Sequence, residues 1–369
     1  MQDADPQQVP PVVGADETGL SRRALIAAGA TAAGAALLRP APPGALAAAD
    51  PGEPQAVPPD RVFGPPHAHA DRPTSVVAVS DTVAVATDEI GRVRAWDVKA
   101  NPVAENRPPY KAHGNKKGSY VTASNGLLFS ASYDGVVNVS ELAGAREFKY
   151  AFDKHAGGPE VWCVAVSDDG THAVSSTNAR EIRRWTTADG APVGNEFYYT
   201  NEAVGGLAFL PGKTDEVLSG HGRGELVWWK LGGANPVVHF VFPHDNDFQV
   251  NSVAVTPDGR YAASAGFDMT VRVWDLANPA KTPVHVARDH TNLVWRVAFS
   301  PDGKLLASAA QDGTVRVYRV GGTWAEHAPH RTERGGVMCV AFTPDNKIVY
   351  TAGDQNDPSV RYWPIAAAP

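Results

Sequence analysis

The chain repeats one stretch of sequence almost letter for letter. Residues 300–318 read SPDGKLLASAAQDGTVRVY, and residues 256–274 read TPDGRYAASAGFDMTVRVW. Aligned on the residue that closes each stretch, the chain divides into units that end at Trp96, Ser140, Trp185, Trp229, Trp274, Tyr318 and Trp363. The intervals between them are 44, 45, 44, 45, 44 and 45 residues. A period this even predicts seven similar structural units packed side by side.

Each unit has the pattern of short strands joined by tight turns. In the sixth unit, VWRVAFS alternates as a strand does, and KLLASAA and TVRVY follow it across two turns that contain Asp-Gly. A looser fourth strand is predicted in TWAEHA, and Asn346 replaces glycine at a turn position with positive φ in the last unit. No helical periodicity competes with this pattern. The sequence therefore predicts an all-β protein.

These residues resemble the WD-repeat β-propeller family over roughly residues 57–366. The closing Trp-Asp pair is intact at Trp96-Asp97 and Trp274-Asp275 and is degenerate in the other units. The resemblance implies a seven-bladed β-propeller of four-stranded antiparallel blades. The segment VPPDRVF, residues 57–63, would complete the last blade and close the ring, because too few residues follow Trp363 to form a fourth strand.

The family also implies sets of side chains that lock each blade. The sixth unit has the most complete set, and the fifth unit has three members of it: His290, Ser308, Asp312 and Tyr318 in the sixth, and Ser264, Asp268 and Trp274 in the fifth. In the fifth unit the histidine position is assigned to Asn246, with His244 displaced.

The N-terminus resembles a twin-arginine export signal. Arg22 and Arg23 precede an uncharged stretch, 24–38, which is too short to cross a bilayer, and small residues near Ala47 or Ala49 suggest a cleavage site. A disordered alanine-rich tail is the alternative. The predicted organisation is a signal at 1–49, a linker at 50–56, the propeller at 57–366 and a tail at 367–369. The resemblance implies a periplasmic or other extracytoplasmic protein without a stable membrane span after cleavage.

Charge and cysteine content exclude several classes of protein. The net charge of −7 and the lack of a basic stripe argue against a nucleic-acid partner. Cys163 and Cys339 occupy the same place in the third and seventh units, nearly opposite each other in a seven-bladed ring, which predicts two separate thiols. A monomer is expected.

Several motifs have both a functional and a structural interpretation. His67 and His69 could begin a metal site, but no third ligand has a matching spacing, and the favoured interpretation is that the pair falls where the family has a blade-locking histidine. Residues 244–247 and 354–357 are rich in oxygen ligands, but solvated loops are the favoured interpretation of these acidic runs. GHGRGE, residues 220–225, is interpreted as a hairpin turn. Arginines recur on the third strand of the units, where carboxylates between blades are expected to pair with them: Arg94, Arg183, Arg272, Arg316 and Arg361.

The remaining candidates are large side chains at two repeated places. Trp162, Trp295 and Met338 follow the residue that opens the first strand of their units, and Tyr133, Phe267 and Gln311 lie at the second turn. In WD-repeat propellers these places share the face around the channel mouth, which implies a binding surface for a protein partner. The alternative is that the tryptophans plug the channel or pack on loops.

The predicted function is a non-catalytic, exported interaction scaffold with no cofactor. The alternative is an enzyme, or a cofactor- or metal-binding propeller with its site at the channel mouth.

Overall fold

The structure is a computed structural model that describes residues 61–63, 72–97, 104–142, 148–155, 158–199, 202–233, 235–244, 247–326, 330–331, 335–346, 348–353 and 360–364. All of these residues lie in the unit Pro54–Pro369. The predicted signal, linker and C-terminal tail lie outside the described residues, as do His67 and His69.

The described residues form strands and contain no helix, which confirms the all-β prediction. The first half contains β1 (Arg61–Phe63), β2 (Pro73–Ala78), β3 (Val83–Asp88), β4 (Arg92–Asp97), β5 (Ala104–Lys111), β6 (Gly118–Ser124), β7 (Leu127–Ser132), β8 (Val137–Glu141), β9 (Phe148–Phe152), β10 (Val161–Val166), β11 (His172–Thr177), β12 (Ile182–Thr186), β13 (Val204–Phe209) and β14 (Glu216–His221). The second half contains β15 (Glu225–Lys230), β16 (Val237–Pro243), β17 (Val250–Val255), β18 (Tyr261–Gly266), β19 (Val271–Asp275), β20 (His285–Ala287), β21 (Val294–Phe299), β22 (Leu305–Ala310), β23 (Thr314–Arg319), β24 (His330–Arg331), β25 (Val337–Phe342), β26 (Ile348–Gly353) and β27 (Val360–Pro364).

Within the described part of the chain these strands pair into seven antiparallel sheets, numbered here by repeat unit. Sheets 1, 2, 4, 5 and 6 each take four consecutive strands, beginning with β2, β6, β13, β17 and β21. Sheet 7 has the order β1-β27-β26-β25, so the N-terminal strand β1 pairs antiparallel with the last strand β27.

Two outer strands differ from the sequence prediction. Sheet 3 has the three strands β10, β11 and β12, and only isolated bridges, Ile182 to Phe197 and Trp185 to Pro192, stand in place of a fourth. Proline and glycine between 190 and 194 interrupt the hydrogen-bond ladder there. The fourth strand of sheet 6 is β24, beyond the predicted TWAEHA, which contributes one bridge from Glu326 to Tyr318.

Every first strand contains the same irregularity. The pairing of β2, β6, β10, β13, β17, β21 and β25 with their second strands skips the second residue of the strand. A bulge of this kind leaves one residue out of the ladder and changes the direction of its side chain. The skipped residues, called bulge residues below, are Thr74, Ser119, Trp162, Gly205, Asn251, Trp295 and Met338.

Side chains at and after the bulges connect neighbouring first strands. The hydroxyls of Ser75 and Ser252 accept hydrogen bonds from the backbone N–H of Val121 and Val297, at 3.2 and 3.1 Å. In the opposite sense, the bulge residue Ser119 donates to the carbonyl of Val161 at 2.6 Å. We call these bonds between neighbouring first strands the seam.

The seam continues between the first and last units. The N–H of Val76 on β2 donates to the thiol sulfur of Cys339 on β25 at 3.4 Å, so a cysteine takes the place that serine has in other units. Along the chain, each first strand contacts the next first strand, and β25 contacts β2.

Apolar side chains fill the space between neighbouring sheets. One buried cluster includes Ala263 and Val273 of sheet 5 with Val297 and Leu306 of sheet 6. Another joins sheets 4 and 5 and includes Trp274. Each sheet therefore buries both faces against neighbours, as the near-continuous apolar strands require.

The turns with the sequence Ser/Thr-x-Asp-Gly, or a variant of it, have one geometry. The hydroxyls of Thr256 and Ser300 donate to Asp258 and Asp302, each at 2.6 Å. The glycine that follows has φ near +70° at Gly259 and Gly303, and Asn346 has φ of 58° in the last unit, which confirms its predicted positive φ.

The described residues include no helix that is long and apolar enough to cross a membrane.

Candidate functional site

The blade-locking set predicted for sheet 5 is complete, and its histidine is His244 rather than Asn246. Such sets are called histidine sets below. The indole of Trp274 donates to the hydroxyl of Ser264 at 2.8 Å, and Nε2 of His244 lies 2.6 Å from the same hydroxyl. Nδ1 of His244 lies 3.2 Å from the carboxylate of Asp268. The assignment of this place to Asn246 was therefore wrong. The prediction relied on the spacing of the repeat, but the loop between the histidine and the first strand is longer here than in the sixth unit. Asn246 itself lies outside the described residues.

Sheet 6 repeats the histidine, serine and aspartate of the set, whereas Tyr318 at the tryptophan position donates to Asp289 at 3.4 Å. His290 lies 2.7 Å from the hydroxyl of Ser308 and 3.0 Å from the carboxylate of Asp312. Burial alone would raise the pKa of Asp312, but the hydrogen bond from His290 more than offsets it and holds the pKa well below its usual range. The same balance with His244 lowers the pKa of Asp268. Both carboxylates are therefore charged acceptors for histidine N–H groups.

Three further sheets have variants of the set that the sequence did not predict. In sheet 2, His113 bonds Ser130 and Asp134 at 2.9 and 3.0 Å. In sheet 3, His155 bonds Ser175 at 2.8 Å and lies 3.3 Å from Glu181, a longer acid two residues further along the turn.

In sheet 4 the histidine comes from the second strand itself. His221 bonds Ser219 at 2.7 Å, and Ser219 accepts the indole N–H of Trp229 at 2.7 Å. The Nδ1 atom of His221 is buried without a hydrogen-bond partner, and burial lowers the pKa of His221 to about 3. The predicted hairpin turn at 220–225 connects β14 and β15 as expected.

These sets fix the end of each sheet where the candidate site lies. Because the first two strands are antiparallel, the start of the first strand lies beside the end of the second, as Val250 lies opposite Gly266. The loop before the first strand and the turn after the second strand therefore share one end of each sheet, called the rim below. Tyr133, Phe267 and Gln311 each precede an aspartate that a histidine holds in this turn.

Three of the predicted residues form one contact group at the rim of sheets 5 and 6, the apolar rim cluster. The indole of Trp295 donates to Oε1 of Gln311 at 2.8 Å, and Phe267 meets the Trp295 ring edge-on at 5.7 Å. Trp295 is a bulge residue, which explains why its ring leaves the sheet and lies on the rim.

Two exposed apolar side chains extend this surface and were missed by the sequence reasoning. Phe248 and Met269 are 55% and 42% exposed. Met269 has φ of 63°, at the turn position that glycine occupies as Gly135 and Gly313 in sheets 2 and 6. A methionine where units 1, 2, 4 and 6 have glycine was the signal in the sequence, and Arg180 of sheet 3, with φ of 71°, is a second non-glycine residue at this position. A non-glycine residue in this region costs about 1 kcal/mol or more.

Tyr133 and Trp162 belong to a separate, charged group at the rim of sheets 2 and 3, the charged rim cluster. The Lys117 amine lies 5.0 Å from the centre of the Tyr133 ring, and the Trp162 indole donates to Glu160 at 3.2 Å. Burial, with the Glu160 charge, raises the pKa of Tyr133 to about 12, and burial together with the nearby Arg72 cation lowers the pKa of Lys117.

The six predicted rim residues therefore do not form a single contact group among the described residues. Met338 is half-buried on the first strand of sheet 7, two residues after Gly336, whose backbone packs against Gln311. It is therefore nearer the apolar rim cluster than the charged one.

A third group, the inner cluster, lies one residue beyond the bulges and was also missed. It consists of Ser75, Tyr120, Cys163, Arg296 and Cys339. The Arg296 guanidinium lies 3.9 Å from the centre of the Tyr120 ring, and its Nη2 donates to Ser75 at 3.3 Å. The Cys163 and Cys339 thiols lie near both Tyr120 and Arg296. Burial raises the pKa of Cys163 to about 11, so this thiol is protonated at neutral pH.

The recurring arginines and the cysteines behave as structural groups. Arg94, Arg183, Arg272 and Arg316 each pair with a carboxylate, and Cys163 and Cys339 are free and buried. Within the described part of the chain, no group of three or more histidine, cysteine, aspartate or glutamate side chains is arranged to hold a metal ion. The acidic run at 354–357 lies outside that part.

The profile of the family "WD domain, G-beta repeat" matches residues 146–186, 236–275, 281–319 and 324–363. Over these four segments the chain is similar to WD40 repeats. Each matched segment ends at the last or the next-to-last residue of a third strand and begins before the first strand of the same sheet, so each segment includes the outer strand of one sheet and three strands of the next. The matched repeats end in sheets 3, 5, 6 and 7.

A comparison with curated proteins finds similarity to the protein named "Small ribosomal subunit protein RACK1" of Candida albicans. The two chains are 35% identical over 79 residues, which is 21% of this chain and 25% of that protein. The chain thus matches about a quarter of the length of this relative.

We expect Ser264→Ala to lower the free energy of unfolding by about 1–3 kcal/mol, because it leaves both the Trp274 indole and His244 without their partner in a buried site. Ser130→Ala is the matched variant, because position 140 in sheet 2 is serine and no indole donates to Ser130. Its loss should be smaller. Urea unfolding of the two variants measures the difference, and equal losses would contradict this account of the set.

We expect the stability of the protein to fall as the pH drops below 6.5, in part because of His221. Between pH 6.5 and about 3 the unfolded state binds a proton at this histidine and the folded state does not. His221→Gln should therefore flatten the dependence of unfolding free energy on pH in this window. His239→Gln, on an exposed strand, is the control and should leave the slope unchanged. Identical slopes for wild type and His221→Gln would refute the assignment.

Proposed function

We propose that the chain is a closed seven-bladed WD-repeat propeller that acts as a non-catalytic scaffold and binds a protein partner at its rim. The four segments similar to WD40 repeats support an interaction scaffold, since proteins built from such repeats generally bind other proteins. The apolar rim cluster is the single observation that carries the proposed binding surface.

The seven-bladed ring is supported by the contacts of the first strands. Each first strand contacts the next one along the chain, and β25 contacts β2. The bond from Val76 to Cys339 has the seam geometry found between Val297 and Ser252. The pairing of β1 with β27 would then close the ring through the edge of sheet 7, and the first strands would surround a central channel.

The apolar rim cluster has the composition of an interaction hot spot. Phe267, Trp295 and Met269 combine aromatic and methionine side chains, which are enriched at the centres of interfaces. The positive φ of Met269 keeps an apolar side chain exposed where glycine would be unstrained. A partner that buries these side chains would offset that strain.

The charged rim cluster would serve as the polar border of the same face. Lys117, Glu160 and Arg72 present both signs of charge, and such border charges affect the specificity and rate of binding more than its strength. We therefore propose a partner with an apolar anchor for sheets 5 and 6 and polar groups for sheets 2 and 3.

We expect the double variant Trp295→Ala/Phe267→Ala to bind the partner at least about tenfold more weakly, because each residue is an anchor of the proposed surface. Purified full chain would be immobilised and exposed to extract from the native cells, and captured proteins quantified by mass spectrometry. The control is Val237→Ala/Val238→Ala, which removes two exposed apolar side chains from β16. Proteins lost only from the rim variant support the proposal, and identical capture by all three chains would refute it.

We further propose that residues 1–49 direct twin-arginine export, so that the scaffold acts in the periplasm or another extracytoplasmic space. The support is the sequence alone, in the pair Arg22-Arg23 before an uncharged stretch.

We expect Arg22→Lys/Arg23→Lys to leave the protein in the cytoplasmic fraction, because the arginine pair is the element that the export route recognises. Arg39→Lys, beyond the uncharged stretch, is the control and should not change export. Cell fractionation and immunoblotting measure both. Equal distribution of the double variant and wild type would show that this pair is not an export signal.

A further inference from the structure

The position after each bulge is small in five of the seven units and large in two. Ser75, Cys163, Gly206, Ser252 and Cys339 occupy it in sheets 1, 3, 4, 5 and 7. Ser75, Ser252 and Cys339 bond the backbone of the next first strand, as in the seam. Tyr120 and Arg296 are the exceptions, and neither can fill that small place.

Tyr120 and Arg296 instead meet each other across non-neighbouring sheets. Arg296 lies on β21, which packs against β17 and β25, yet its guanidinium reaches Ser75 on β2 and the Tyr120 ring on β6. In the proposed ring, this contact crosses the central channel on the side of sheets 7 and 1. The small residues of sheets 3, 4 and 5 leave the opposite side to solvent or to a small molecule.

The charge of Arg296 is not compensated by an acid. No described carboxylate lies within ion-pair distance of its guanidinium, in contrast to Arg94, Arg183, Arg272 and Arg316 on the third strands. The groups around it are the Tyr120 ring and the side chains of Ser75, Cys163 and Cys339. Burial raises the pKa values of Tyr120 and Cys163, so both are neutral at physiological pH.

Most of the donor capacity of Arg296 is also unused. A guanidinium has five N–H groups, and the described side-chain group that accepts from this one is the Ser75 hydroxyl. Arg296 is half-buried, and none of its nitrogens is sealed from solvent without a partner, as the Nε of Arg184 is. Its free N–H groups are therefore open to a solute in the channel.

We propose that Arg296 binds a small oxyanion, of the carboxylate or phosphate type, at the centre of the ring. The planar guanidinium matches two oxygens of such an anion, and the Ser75 hydroxyl can donate a further bond. A metal cation is disfavoured by the positive charge. The Tyr120 ring holds the guanidinium in place by cation–π contact, so Tyr120 is a positioning residue.

The test is calorimetric titration of sodium phosphate, and separately sodium acetate, into the full chain. Ionic strength is kept constant with sodium chloride, whose anion has no pair of oxygens to match the guanidinium. The proposal expects saturable binding at one site for at least one of the two probes, with a dissociation constant of roughly 1 mM or tighter. Absence of saturation for both probes in the wild-type chain would overturn it.

Variants locate the site and separate it from the rim. Arg296→Met should weaken binding at least about tenfold, and Arg260→Met should not, although Arg260 also lies against a tyrosine ring, at 4.9 Å from Tyr261 on an exposed turn. If Arg296→Met does not fold, Arg296→Lys keeps the charge and loses the planar pair of donors, and several-fold weaker binding is expected. Unchanged affinity in the folded Arg296 variant would overturn the proposal.

Trp295→Ala/Phe267→Ala should keep wild-type affinity for the anion. The inference uses the proposed ring for its location but not the proposed rim surface. Loss of partner capture with retained anion binding, or the reverse, therefore separates the two proposals.

Discussion

The structure depends on how the unpaired edge of each first strand is satisfied. Each first strand pairs with a second strand on one side only, so the N–H and C=O groups of its other edge need partners. The bulge supplies them, because it turns two successive side chains toward the neighbouring first strand. Ser119 donates to a carbonyl there, and Ser75 and Ser252 accept from N–H groups. The same local irregularity therefore forms the seam and places Trp162, Trp295 and Met338 at the rim.

The histidine sets fix the turns that follow the second strands. In sheet 5 the Asp268 carboxylate accepts the Nδ1–H of His244, which leaves Nε2 to accept from Ser264, and the serine accepts from the Trp274 indole. This chain runs from the third strand to the loop before the first strand. It therefore fixes the turn that carries Phe267 and Met269. The rim surface is held by buried bonds rather than by contacts within the rim itself.

Much of the fold could be predicted because the repeat states each turn and strand several times. The even spacing of the closing aromatics and the Asp-Gly turns fixed the strand order, and the lone cysteines were expected to remain thiols. The spacing failed where a unit departs from the pattern. His244 was misplaced because its loop length differs, Glu181 was not seen because it lies two residues beyond the usual aspartate, and the fourth strand of sheet 3 was lost to proline and glycine. Which rim residues touch could not be predicted, since that depends on the curvature of the assembled sheets.

The departures from the repeat carry more information about function than the repeat does. The residue after the bulge is serine, cysteine or glycine in five units, and the serines form seam bonds there. Tyr120 and Arg296 occupy the same position without forming such a bond. A turn position that suits glycine serves the hairpin, so Met269 gives up an unstrained backbone. Both exceptions place large side chains where they are accessible, one in the centre and one at the rim. Tyr120 also packs against the apolar cluster of sheets 2 and 3, whereas Met269 is 42% exposed and Arg296 has donors that no described side chain uses, so binding of another molecule is the physical reason that we propose for Met269 and Arg296.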